Sequence, residues 1–219
     1  MVSIMLRSEM FNRCLHADYD PEGPSDYDIQ LIGDTIYIFF EGSDEKEDWI
    51  DNFNFPATPY KDCHPKWRCH RGFLNAWKDM QDAIVFTVGR LLGLDAENEI
   101  KNITCIGYSH GGALSLLATE DMEYRYGKEY NVKGYGFEAP RVIWGIIPKE
   151  VKYRLRNYEV IRNKGDLVTH VPPLCFGFRN AGTMYKMGKA FKYGPIKAHF
   201  SDNVMTELLE KEKRRSIKE

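Results

Sequence analysis

The first sustained apolar run in the chain, Thr35-Ile36-Tyr37-Ile38-Phe39-Phe40, is β-branched and aromatic and predicts a buried strand. From Gly72 to Leu92 the period lengthens to that of a helix. Phe73, Trp77, Met80, Ile84, Val88 and Leu91 fall on one stripe, and Gly93 is expected to close it. Ile103-Thr104-Cys105-Ile106 predicts another strand, and the small apolar residues Ala113 to Ala118 open a helix reaching about Tyr126. Strands are predicted at Val132 to Phe137 and Tyr158 to Arg162, with a short helix from about Pro148 between them. A last, amphipathic helix begins near Ser201. Such alternation of β and α predicts a mostly parallel sheet flanked by helices. No repeat, low-complexity stretch or linker interrupts it, so residues 1–219 are expected to form a single α/β domain.

Between a predicted strand and a predicted helix stands Gly107-Tyr108-Ser109-His110-Gly111-Gly112. This fits G-x-S-x-G, the nucleophile elbow of α/β-hydrolases, in which a serine occupies a strained strand-to-helix turn. Glycines flank it because the turn leaves no room for a Cβ. The helix behind the serine aims free N–H groups and the positive end of its dipole at any anion formed there.

A serine hydroxyl needs a base to become a nucleophile, and the base needs an orienting acid. The chain order serine, acid, histidine directs the search downstream. Asp166 follows the predicted strand ending at Arg162, and the histidines beyond it are His170 and His199. His170 stands only four residues from Asp166, whereas His199 returns after a long excursion, just before the last helix. The expected relay is therefore Ser109, Asp166 and His199. Oxyanion donors are expected from the His110 N–H and from Ser43, in the turn Phe40-Glu41-Gly42-Ser43.

Taken together these segments resemble the lipase class 3 group, the fungal-lipase-like α/β-hydrolases. Phe39 to Ser43 is similar to that family's oxyanion strand and turn, and Asp48-Trp49-Ile50-Asp51-Asn52-Phe53 to its lid. His70-Arg71-Gly72-Phe73 resembles the start of its next helix, Gly107 to Gly112 its elbow, and Asp166 to Pro173 the segment carrying its acid. The resemblance implies an α/β-hydrolase fold and a serine carboxylester hydrolase forming an acyl-enzyme on Ser109. It also implies Asp166 as acid, His199 as base, and Ser43 with the His110 N–H as oxyanion hole. Triacylglycerol lipase is the leading expectation, with phospholipase A1 or a small-ester (feruloyl-type) esterase as alternatives. A non-catalytic binding module on the same fold ranks below them. Two positions depart from the family pattern: Glu41 replaces a common basic residue, and His110 a leucine.

Composition narrows the partners. With 30 Lys and Arg against 32 Asp and Glu, the net charge of −2 gives no reason to expect nucleic acid. No run approaches the ~18 apolar residues of a membrane span. Residues 44–55 form a lid-like segment, acidic overall, whose apolar face Trp49, Ile50 and Phe53 could cover Ser109 and meet lipid when open. The arm from Arg179 to Lys197 carries five bases and no acid, which suits transient contact with an anionic lipid interface. Cys63-His64 and Cys69-His70 are spaced too widely for a usual structural zinc site, and a local disulfide ranks above zinc if the protein is exported; neither metal nor cofactor is expected. Five cysteines, an odd number, with Cys14, Cys105 and Cys175 in apolar surroundings, suggest reduced thiols. Residues 1–20 contain no apolar leader core, and the default expectation is a cytoplasmic protein.

Overall fold

The computed structural model describes residues 5–19, 26–42, 56–190 and 192–217. Its centre is a six-stranded sheet. The strands are β1 (Tyr27–Ile32), β2 (Thr35–Phe40), β5 (Asn102–Tyr108), β6 (Asn131–Phe137), β8 (Tyr158–Asn163) and β10 (Thr183–Met187), in that spatial order. Only β1 runs antiparallel; it forms a hairpin with β2 through Gly33, at φ 60°, and the other neighbours pair in parallel. A smaller antiparallel sheet joins β3 (Ala57–Tyr60), β4 (Trp67–His70), β7 (Ile143–Trp144) and β9 (Phe178–Arg179).

The apolar runs are continuous because the central strands are covered on both faces. Alternate side chains split between two cores. Ile36, Ile38, Ile103, Cys105, Val132 and Val160 face α2 (Arg71–Leu94) and α3 (His110–Tyr126). Phe39, Ile106, Phe137 and Ile161 face α1 (Arg7–Leu15) and α5 (Ser201–Ser216). A short helix, α4 (Lys149–Arg154), completes the first layer. The α2 stripe is buried at Phe73, Trp77, Met80, Ile84 and Val88, while Leu91 is half-buried. Gly93 does not close that helix, which runs on to Leu94 and ends at Asp95.

Helix α1 has no counterpart in the apolar pattern, because its nine residues mix charge with only a few hydrophobes. Phe11 nevertheless anchors it, fully buried with ring centroids 4.9 Å from Phe137 and 5.4 Å from Tyr108. Burying such a ring contributes roughly 2–3 kcal/mol. The basic arm contributes to both sheets, with Arg179 in β9 of the small sheet and Lys186 in β10 at the edge of the large one.

Parallel registry brings the strand ends to one edge. Phe40 pairs with Gly107, Tyr108 with Phe137, and Phe137 with Ile161. Every loop expected to carry chemistry therefore leaves the same carboxyl edge, where open parallel sheets place their sites.

Candidate active site

Ser109 sits between β5 and α3 at φ 54° and ψ −118°, outside the broadly allowed regions for an L-residue. Its neighbours make that turn possible. A Cβ on Gly107 would lie 1.9 Å from the Gly111 carbonyl oxygen, and one on Gly111 would lie 2.3 Å from that of Phe40. Backbone touches backbone at both positions, so only glycine fits. The Ser109 N–H donates to the Phe137 carbonyl at 2.9 Å, which clamps the elbow to β6.

Asp166 lies beyond β8 in a tight turn. Its Oδ1 accepts from the Val168 N–H at 2.8 Å, and its Oδ2 lies 2.8 Å from His199 Nδ1. His199 Nε2 is 2.8 Å from Ser109 Oγ. All three residues are buried, Asp166 completely. Thus the three side chains predicted to form a relay are joined by one unbroken line of hydrogen bonds.

His199 is held by its surroundings as well as by Asp166. Tyr108 stacks on its ring at 5.3 Å and donates its hydroxyl to the His199 carbonyl. The Asn163 side chain donates to the Ala198 carbonyl at 3.3 Å, and Leu167 N–H donates to Pro195 at 2.9 Å, tying the turn before α5 to the Asp166 loop. His170 does not reach the serine. Its ring nitrogen bonds the backbone carbonyl of Asp166 at 2.7 Å, and the side chain is exposed.

His110 is the first residue of α3, where N–H groups have no intrahelical acceptor. That leaves its amide directly after Ser109 at the helix N-terminus. Its ring packs 5.5 Å from Phe73, whose ring lies 4.4 Å from His70, and His70 lies 5.9 Å from Phe178. Burial lowers both imidazoles to about 4, helped at His70 by its nearness to His110. Both rings are therefore uncharged near neutrality. His70 Nδ1 accepts the Phe73 N–H and caps α2.

The oxyanion turn is described as far as Gly42, which packs directly on Tyr108. Ser43 and the lid-like residues Trp49, Ile50 and Phe53 lie outside the described residues. The cysteines are free. Cys63 hydrogen-bonds to Asp121 at 3.6 Å, and Cys175 is exposed rather than set in apolar surroundings.

One acid at this edge escaped sequence reasoning. Glu138 directly follows β6, is fully buried, and accepts from the Asn163 N–H at 2.6 Å. Oxygen or nitrogen atoms of Glu138, Asp166 and His199 all lie within 4.8 Å of one another. Its signal was legible: a carboxylate at the end of the strand next to the elbow strand.

The fold and this edge are shared with known proteins. The sequence profile of the class 3 lipases matches residues 37–176. This chain belongs to the lipase (class 3) family. Its relatives include a lipase of Rhizomucor miehei, 32% identical over 155 residues, which cover 69% of this chain and 41% of that protein. The secreted mono- and diacylglycerol lipase 1 of Fusarium solani is 28% identical over 152 residues, covering 68% and 43%. A solved triacylglycerol lipase whose catalytic centre is a serine protease triad superposes with a TM-score of 0.65 at 28% identity, covering 75% of this chain and 62% of that one. This class 3 chain thus spans less than half the length of those two sequence relatives, and the α/β-hydrolase fold is the part they share. The cytoplasmic expectation does not stand, because the family's relatives include secreted lipases. Polar residues near the first methionine and unpaired thiols do not decide the compartment, since the folded domain is the same on either side of a membrane.

Proposed function

We propose that this chain is a serine carboxylester hydrolase acting on acylglycerols or similar lipid esters, with one α/β-hydrolase domain carrying the whole site. The unbroken hydrogen-bonded line from Ser109 Oγ through His199 to Asp166 carries this reading. In the reaction, His199 Nε2 takes the Ser109 proton as Oγ attacks the ester carbonyl carbon. Asp166 fixes the imidazole tautomer and stabilises the imidazolium. The oxyanion is met by the His110 N–H, the positive end of α3 and Ser43. Collapse expels the alcohol, which takes its proton from His199. Water, deprotonated by the same nitrogen, then releases the fatty acid and restores Ser109. The segment 44–55 serves as the cover of the site.

Contact with a lipid surface belongs to the same reading. Lys164, Lys186 and Lys189 on the β8 and β10 side face Lys211, Arg214 and Arg215 of α5 across a cleft of about 610 Å³, whose lining also holds Glu207 and Glu210, both paired with Lys192, so that bases outnumber acids there. Such a surface suits anionic headgroups, and salt should weaken adsorption to anionic vesicles.

A fluorophosphonate probe tests the chemistry: it should label the wild type and leave Ser109→Ala unlabelled. Labelling that does not depend on Ser109 would overturn the assignment. A p-nitrophenyl ester chain-length series, run beside triolein and phosphatidylcholine, then separates lipase from phospholipase A1 and from a small-ester esterase.

A further inference from the structure

Glu138 occupies a position that disfavours it twice. Its φ is 50°, in the left-handed region where glycine is unstrained, and its carboxyl group is fully buried. Burial without a partner would force such a group to neutralise. Only the side chain's contacts can offset both penalties. One oxygen accepts from the Asn163 N–H, and the carboxyl group lies with those of Asp166 and the ring of His199 inside a 4.8 Å cluster. Tyr108 faces it from β5, with its own hydroxyl kept protonated by burial, and Arg162 on β8 is the cation near enough to favour its charge.

Two buried carboxylates with oxygens within 4.8 Å of each other disfavour joint ionisation, so a proton on one of them is favoured. The two are not equivalent. Asp166 receives the Val168 N–H and faces the imidazole, both of which favour an anion, whereas burial and the Asp166 charge push Glu138 well above the usual carboxylate range. We propose that Glu138 is a positioning residue, a neutral carboxylic acid whose O–H donates to the Asp166 carboxylate and sets the basicity of His199 through it. The proton stays on Glu138 throughout the reaction. By sharing the Asp166 charge, Glu138 moderates the pull of Asp166 on the imidazolium. The inference rests on the relay proposed above but has a readout that needs no turnover.

Glu138→Gln keeps a neutral donor, while Glu138→Gly removes the side chain at a backbone angle that glycine accepts without strain. Titration of His199 in isotope-labelled protein, followed by NMR, should match wild type in Glu138→Gln and shift upward in Glu138→Gly. The acid limb of kcat/KM on a soluble ester should move in the same sense. An unmoved His199 titration in Glu138→Gly would overturn the proposal even if the protein hydrolysed no ester. So would a Glu138→Gln variant that shifts as Glu138→Gly does, because the ionised carboxylate would then be the working form. A purely packing role lowers thermal stability in both variants and leaves the His199 titration in place.

Discussion

The two sides of the proposed relay are held by different forces. On the nucleophile side, Ser109 is fixed by backbone packed on backbone, with Gly107 against Gly111 and Gly111 against Phe40. On the acid–base side, Asp166 and His199 are fixed by hydrogen bonds between loops: Val168 to Asp166, Asn163 to Ala198, Leu167 to Pro195 and Tyr108 to His199. Steric exclusion is short-ranged and close to all-or-none. Hydrogen bonds are individually worth only ~1 kcal/mol and fail one at a time. Damage to the first side should therefore unfold the protein, and damage to the second should detune it.

The sharpest separation comes from the histidines. His199→Ala should lower kcat roughly a millionfold, since serine and base act as a unit, with the melting temperature little changed. His170→Ala, which removes an exposed ring bonded to the Asp166 backbone, should keep activity within about threefold. Full activity without His199 would transfer the base role elsewhere. Asp166→Asn should fall between them, with a loss of roughly ten-thousandfold through the wrong imidazole tautomer.

Gly107→Ala tests the steric side. With no room for a Cβ between two backbones, the expected loss is about 3 kcal/mol or more in urea unfolding, with soluble yield falling in parallel. A stable, inactive Gly107→Ala protein would show that the elbow can open without unfolding. Tyr108→Phe tests the other side at its weakest. It removes one hydroxyl donor while keeping the ring stacked on His199, so the loss should be about 1 kcal/mol in stability and severalfold in kcat/KM.

The smallest effect concerns acid. His70 and His110, lowered by burial to about 4, stay neutral in the folded state while the unfolded chain protonates near pH 6.5. Between those values the unfolded state binds more protons, so their contribution to stability falls as pH drops from 6.5 to 4 and is flat above it. A melting-temperature series in pH should show a shallower acid slope in His110→Gln. An unchanged slope would mean that the ring is not held neutral by burial.

Much of this was legible in the chain itself. The strand at 35–40, the elbow and the helices after Arg71 and Ser109 are written in local pattern, because steric limits at glycine and the period of burial act over a few residues. Asp166 and His199 were found by order along the chain rather than by geometry. Helix α1 and β10 were not anticipated, since a nine-residue mixed helix and a five-residue edge strand gain most of their stability from what they pack against. Glu138 was visible as a residue but not as a participant.

By itself, then, the sequence determined the elbow turn at Ser109, the main central strands and the helices that flank them, and the family, since these are written in local motifs and local periodicity. Only the tertiary structure decided which histidine meets Ser109, that His70 and His110 are neutral, and that a second acid stands behind Asp166. Those facts depend on distances between segments far apart in the chain and on how much water the folded edge excludes, and neither is encoded in any short stretch of residues.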